Sequence, residues 1–290
     1  MLFPTPDQLS CLDGFEKTAF RVTDLFNRHP VLKRAGTAYM SHFGANWVDL
    51  ATRKLRYVEG TENLRNLHPD RGVILVSNHR SFFDLYVVAA VAVKETRWVD
   101  RMYFPVRSNF FYDGPAGIAV NALMAGLAMY PPILRDGSKK SFNQYSVDFM
   151  VEQARRPGTM LGFHPEGKRS HGDDPYTLLP AHPGIGQIVR HAQPIVIPAF
   201  VLGLGNDFAS QVKGNFDGTG APITITYGPP VDLSTFYKDE PKLRTYKRIA
   251  DRIREEISAL GANDRIMRRR LGLPILEVPA AASAPETRSS

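Results

Sequence analysis

Four short apolar runs constrain this chain more than anything else in it. GVILVSN (72–78), GTMLGF (158–163), PIVIPAFVL (194–202) and PITITYG (222–228) are rich in β-branched residues and bounded by turn formers. Each reads as a buried strand. Helical patterns separate them, over about 82–94, 115–128, 141–155 and 183–192, and further strands are read in WVDRMYFPV and AMYPPILR. That alternation predicts an α/β sheet covered by helices. A length of 290 residues, 43% of them hydrophobic, is enough for one large α/β domain with a real core.

The flanks differ in texture. Residues 1–55 read as a helical segment, with Phe15, Ala19, Val22 and Phe26 at helical spacing. Phe20, Phe43 and Trp47 add aromatic surface that can pack on the main domain or lie in a membrane interface. The domain itself is expected over 56–262, closed by a helix at 241–260 with Leu243, Tyr246, Ile249, Ile253 and Ile257 in its apolar stripe. Residues 263–290 read as a basic stretch, a solvated helix end around Arg265, Arg268, Arg269 and Arg270, followed by a disordered tail. The uncharged run 114–134 is long enough to span a bilayer, but Asn121, its glycines and a Pro-Pro pair favour a buried helix feeding a strand.

Composition narrows the partners. The net charge of +7 favours anionic ones, among them phosphorylated substrates and acidic lipid. Nucleic acid is disfavoured, because no aromatic platforms interleave with the basic residues. Cys11 is the only cysteine, so no internal disulfide can form and a cytoplasmic setting is expected. The N-terminus lacks the basic-then-apolar pattern of a secretory signal.

The chemistry-bearing stretch is SNHRSFFD, at the end of the first strand. Ser81 and Asp84 have capping-box spacing, so Asp84 can be a helix cap and no more. Within one helix, His79 and Asp84 would lie about 140° apart and could not touch. With His79 in the turn and Asp84 in the first helical turn, the carboxylate can reach the imidazole. It would then fix the tautomer and leave the other ring nitrogen free to take a proton. No G-x-S-x-G nucleophile is present, so the hydroxyl would come from the substrate. A second motif, GFHPEGKRS (162–170), follows another strand, and ligands in open α/β sheets collect beyond such strand ends. Arg169 offers a bidentate fork to phosphate, Lys168 a point charge, and Arg135 ends the run YPPILR.

SNHRSFFD, PPILR, FHPEGKRS and IVIPAFV, in that order, resemble the four sequence blocks of the glycerolipid acyltransferases, particularly the bacterial 1-acylglycerol-3-phosphate acyltransferases. The resemblance runs over about 55–260. It implies a mixed sheet flanked by helices and transfer of a fatty acyl group from a thioester to a lysophospholipid hydroxyl. By it, His79 is the general base and Asp84 its orienting partner. Arg135, Glu166, Gly167, Lys168 and Arg169 bind the phosphorylated acceptor, and Pro198 shapes the site. It implies acyl-CoA or acyl-carrier protein as donor, no metal or redox cofactor, and attachment to the cytoplasmic face of the membrane.

Three departures bear on the acceptor. Lys168 stands where the family usually has threonine. His182 and Pro183 precede Gly184 where a lysine-glycine pair is common, and Ile133-Leu134 precede Arg135 in place of the usual aromatic or branched residue and acid. Glycerol-3-phosphate, a lyso-ornithine lipid or another lysolipid therefore stay open as acceptors, as does a non-catalytic lipid-binding protein of the same fold. GLGNDF and GIGQIV lack the third glycine of a dinucleotide fingerprint and read as turns. His164, His171, Asp173 and Asp174 match no metal-ligand spacing and read as a solvated loop.

Overall fold

The computed structural model describes residues 2–108, 112 and 114–275. The tail from 276 onward, expected to be disordered, lies outside the described residues. Among them, the main sheet has the order β1-β8-β7-β2-β6-β3, made of Arg56–Glu59 (β1), Ile223–Tyr227 (β8), Ile195–Leu202 (β7), Val73–Ser77 (β2), Thr159–Phe163 (β6) and Arg101–Tyr103 (β3). All neighbours are parallel except β7 and β8, so the sheet is mixed, as the resemblance implies. Val106–Arg107 (β4) and Pro132–Ile133 (β5) form a small parallel pair, with Arg107 opposite Ile133. The strand expected at WVDRMYFPV is thus two, broken at Phe104-Pro105, because proline cannot donate to a ladder.

β2 is buried along its whole length between β6 and β7. One face of the sheet packs on Lys140–Ala154, Pro183–Ala192 and Leu243–Arg270, through Phe149, Ile185, Ile188, Ile249, Ile253 and Ile257. The other face is covered by Asp84–Glu95 and Ala45–Thr52, through Val87, Val91 and Val48. These sites are apolar at the positions the sheet must cover, which is what drives the layers together.

The closing helix runs ten residues past its expected end, to Arg270. Leu243, at its first position, is 68% exposed and leaves the stripe. Its basic end is not solvated throughout. Arg268 is buried, with Nε 3.1 Å from Asp264 Oδ2 and Nη2 donating to Thr224 Oγ1 at 2.8 Å. Arg265 lies 4.0 Å over the Tyr176 ring. These cations stitch the helix to β8 and to the loop after β6.

The N-terminal segment is helical over Gly14–Arg28, Pro30–Tyr39 and Ala45–Thr52, with a π-helical stretch Met40–Gly44 between the last two. The buried stripe of its first long helix is Glu16, Ala19, Phe20, Thr23 and Asn27. Val22, expected inside, is 49% exposed. Phe20 packs against Phe142, Tyr130 and Tyr145, and truncating so buried a ring costs about 3–5 kcal/mol. Lys33 is buried too. Its Nζ donates to Asn27 Oδ1 at 2.7 Å and to Met102 O, and lies 3.7 Å over Tyr103. Gly36 and Gly126 cross so closely that a Cβ on either would meet the other's carbonyl oxygen at about 2.5 Å. The segment is therefore built into the core of the domain.

Candidate active site

β2 ends at Ser77, and the turn after it is held from three sides. The Asn78 side chain replaces the next ladder pair, donating to Val201 O and accepting from Val201 N, both at 2.8 Å. The His79 N–H donates to Glu166 Oε1 at 2.8 Å, and His79 O accepts from Ser170 N at 2.7 Å. Ser81 Oγ donates to Gly205 O at 2.7 Å.

The helix Asp84–Glu95 starts at Asp84, whose Oδ2 accepts from Arg80 N and Ser81 N, both at 2.6 Å. Only half of the expected capping box forms. Ser81 Oγ accepts from Phe83 N, one residue short of the box partner. The fold-back nevertheless brings Asp84 Oδ2 to 3.5 Å from His79 Nδ1. That is ion-pair distance, longer than a formed hydrogen bond, and Nδ1 is buried without a hydrogen bond among the described residues. In catalytic sites such contacts tighten when substrate seats.

Electrostatics favours a neutral base. Burial, with the Arg169 and Arg107 guanidiniums close by, pushes the His79 imidazole down to about 4. Burial also pushes the Asp84 carboxyl up to about 6, against the lowering effect of His164 and the two N–H donors. At neutral pH the pair is an uncharged imidazole facing a carboxylate, the state that can accept a proton and then stabilise the imidazolium.

The second motif lies beside the first because β6 pairs with β2 in the register Val76 to Phe163. Its turn is rigid: Gly167 N donates to His164 O at 3.0 Å, and Gly167 adopts φ +62, a left-handed conformation that glycine accepts without strain. A cleft of about 620 Å³ opens over both motifs. His79, Gly167, Lys168, Arg169 and Arg135 all line it. So does Arg107, which donates to Gly167 O. Sequence reading passed over Arg107. The available signal was that MYFPVR ends on an arginine just as YPPILR does, and β4 and β5 put the two endings side by side. Arg135 and Arg169 lower the affinity of Arg107 for its proton, after burial, so the three guanidiniums share one region of the cleft.

Three of the residues singled out in the sequence lie outside the lining. Glu166 is buried, and its second oxygen accepts from Leu179 N at 2.8 Å. Both of its carboxylate oxygens thus face the protein backbone. Asp84 lies beneath His79, and Pro198 sits in β7 opposite Val76. Most of the remaining lining is apolar, with Phe104, Met129, Val147, Met150, Ile185 and Ile188 among it, and Asn143, His164 and His182 add polar groups. His164 is not in a solvated loop. It lines the cleft against His79, and among the described residues no cluster of His, Cys, Asp or Glu is arranged to hold a metal ion.

The site is thus a half-buried histidine over a buried carboxylate, in a largely apolar cleft with arginines in its wall. The family model described as Acyltransferase matches residues 56–202, just over half of the chain, and the chain belongs to the acyltransferase family. The crystal structure of the 1-acyl-sn-glycerophosphate (LPA) acyltransferase PlsC from Thermotoga maritima is similar with a TM-score of 0.44 and 16% identity, over 83% of this chain and 88% of that one. No curated protein sequence matches the chain.

Proposed function

We propose that the protein transfers a fatty acyl group from an acyl thioester to the free hydroxyl of a phosphorylated lysolipid, with 1-acylglycerol-3-phosphate as the first acceptor to test. One observation carries this reading: a neutral, half-buried His79 shares a single cleft with Arg107, Arg135 and Arg169 and with a largely apolar lining. The arginines match a phosphate monoester, and the lining matches an alkyl chain.

In this mechanism the acceptor hydroxyl gives its proton to His79 Nε2 as its oxygen attacks the thioester carbonyl. The tetrahedral adduct collapses, the C–S bond breaks, and the thiolate leaves with the proton from the imidazolium. Asp84 holds the Nδ1–H side and compensates the transient positive charge. General-base assistance contributes about 10²–10⁴-fold, and holding the acceptor by its phosphate contributes orientation as well. Acyl-CoA and acyl-carrier protein are both proposed donors.

The test is a matrix of acceptors (lysophosphatidate, glycerol-3-phosphate, lyso-ornithine lipid) against both donors, read by mass spectrometry, with His79→Ala alongside. Product from lysophosphatidate in the wild type alone is the expected result. Wild-type turnover by a folded His79→Ala protein overturns the assignment of the base.

We further propose that the protein meets its acceptor at a membrane surface. Among the described residues no helix is long and apolar enough to cross a membrane. However, Phe43 and Leu123 are 58% and 68% exposed, and Tyr39 joins them, stacking on Phe43 and donating to Leu123 O at 2.7 Å. Met40 and Ala125, three and two positions away, line the cleft. An apolar patch at the edge of the site suits a lipid surface. Flotation of the full chain with anionic liposomes should fail for the Phe43→Asp, Leu123→Asp pair. If that variant floats like the wild type, this patch is not the docking surface.

A further inference from the structure

His79 has a second imidazole behind it. His164 directly follows β6, and the strand register sets it beside Ser77, two residues before His79. The two rings are parallel within 8°, with centroids 3.7 Å apart. His164 Nδ1 lies 3.1 Å from Ser77 O and 3.2 Å from Ser77 Oγ. A carbonyl oxygen can only accept, so Nδ1 carries the proton and donates, and the ring is anchored to the strand that carries His79.

This contact does something the Asp84 contact does not. At 3.5 Å, with Asp84 Oδ2 already accepting two backbone N–H groups, the carboxylate alone leaves the imidazole free to pivot. A flat ring at stacking distance blocks that pivot and closes one face of His79 to water. We propose that His164 is a positioning residue for acyl transfer: its ring face fixes the plane of the His79 imidazole and keeps that imidazole desolvated. This rests on the reading of His79 as the base.

The charged and titratable groups around His79 belong to several elements. Asp84 begins the following helix, Arg80 is in the same turn, and Glu166, Arg169 and His171 come from the loop after β6, with Arg107 from β4. Beside these, His164 is the group stacked on the ring face. It is itself held neutral by burial and by His79, its imidazole pushed down to about 3. Its influence at neutral pH is therefore steric and dielectric, which a phenyl ring can reproduce.

The test uses the full chain with ring-labelled histidine. The His79 titration is followed by NMR in wild type, His164→Phe and His164→Ala, assigned with His79→Gln, and kcat and KM are measured in parallel. Opening the face to water should raise the His79 pKa in His164→Ala by about one unit or more. It should also lower kcat about tenfold or more, a modest part of the general-base contribution, while KM for the acceptor stays within about twofold. His164→Phe should keep both the low titration and most of kcat. A His164→Ala protein with the wild-type titration and kcat overturns the proposal, as does a His164→Phe protein that behaves like the alanine variant. If the wild type transfers no acyl group to any acceptor, the reading of His79 falls instead. The titration still decides whether His164 controls the ring.

Discussion

Glu166 accepts the backbone N–H of His79 through Oε1 at 2.8 Å, and through Oε2 it accepts that of Leu179, also at 2.8 Å. One buried carboxylate thus ties the turn carrying the imidazole to the loop that walls the cleft. Burial raises its pKa, while the two N–H donors hold it down. Removing the side chain leaves two part-buried donors unpaired, a penalty of up to about 1–3 kcal/mol for each. We expect Glu166→Ala to lower the melting temperature by several degrees and to lower kcat more than it raises KM for the acceptor. Thermal melts and steady-state kinetics check this. A variant that melts like the wild type and changes only KM would return Glu166 to the role of an acceptor contact.

Arg107, Arg135 and Arg169 share the cleft wall, and a charge-assisted hydrogen bond to phosphate is worth about 1.5–3 kcal/mol. Replacing any one of them by alanine should raise KM for a phosphorylated acceptor about 10–100-fold, with a smaller change in kcat. The effect should weaken as salt is added, because the sites are partly open to solvent. Arg107→Ala is the informative variant, since nothing in the sequence motifs marked it. Unchanged KM in Arg107→Ala would remove it from the acceptor site.

Much of this candidate site is legible in the sequence, and the reasons are local. SNHRSFFD and FHPEGKRS each follow a short β-branched run, and a buried strand delivers the residue after it to the sheet edge. His79, Lys168 and Arg169 could therefore be placed toward one cleft from the two strand ends read together. What could not be read depends on contacts between distant segments. The neighbourhood of Arg107 needs the β4–β5 pairing, and the turning-in of Glu166 needs the N–H groups of His79 and Leu179. Helix faces were read with similar limits. Of the stripe at Phe15, Ala19, Val22 and Phe26, Ala19 is buried and Val22 is not, while Glu16, Thr23 and Asn27 are buried as well. Glu16 accepts from Lys139 and Asn27 donates to Leu127 O across the domain, and the Thr23 hydroxyl donates to Ala19 O in its own helix. Arg268 disappears into the fold for the same reason.

Asn206, in the GLGNDF stretch, gives that turn a task. Its Oδ1 accepts from Arg169 Nη1 at 2.9 Å and from Phe82 N at 3.1 Å, joining the arginine to the turn after β2. Asn206→Ala frees Arg169 without removing its charge. We expect KM for the acceptor to rise several-fold, less than in Arg169→Ala, with kcat nearly unchanged. If the double variant Asn206→Ala, Arg169→Ala is worse than Arg169→Ala by the full single-mutant factor, the two act independently and Asn206 does not orient Arg169.

The pH profile separates the two members of the pair. His79 must be neutral to accept a proton, and its low value, about 4, leaves it neutral down to distinctly acidic pH. Asp84 must be ionised to stabilise the imidazolium, and its raised value, about 6, makes it the first group to fail as pH falls. The groups interact, so the profile reports apparent values for the pair. We expect kcat/KM to be flat from pH 8 to 7, to fall below about pH 6, and to fall again toward 4. Asp84→Asn keeps an oxygen for the Arg80 and Ser81 N–H donors and has no carboxyl to titrate. Its activity should be lower by about 10²-fold or more, in line with the loss of an orienting carboxylate, and its profile should lose the upper step. A phosphate acceptor titrates near pH 6 as well, so the profile is repeated with a non-titrating phosphodiester analogue as a competitive ligand. An upper step in kcat/KM that persists in Asp84→Asn belongs to the acceptor if the profile of the competitive ligand lacks it and to another group of the protein if that profile shows it, and in either case the carboxylate beneath His79 does not set that step.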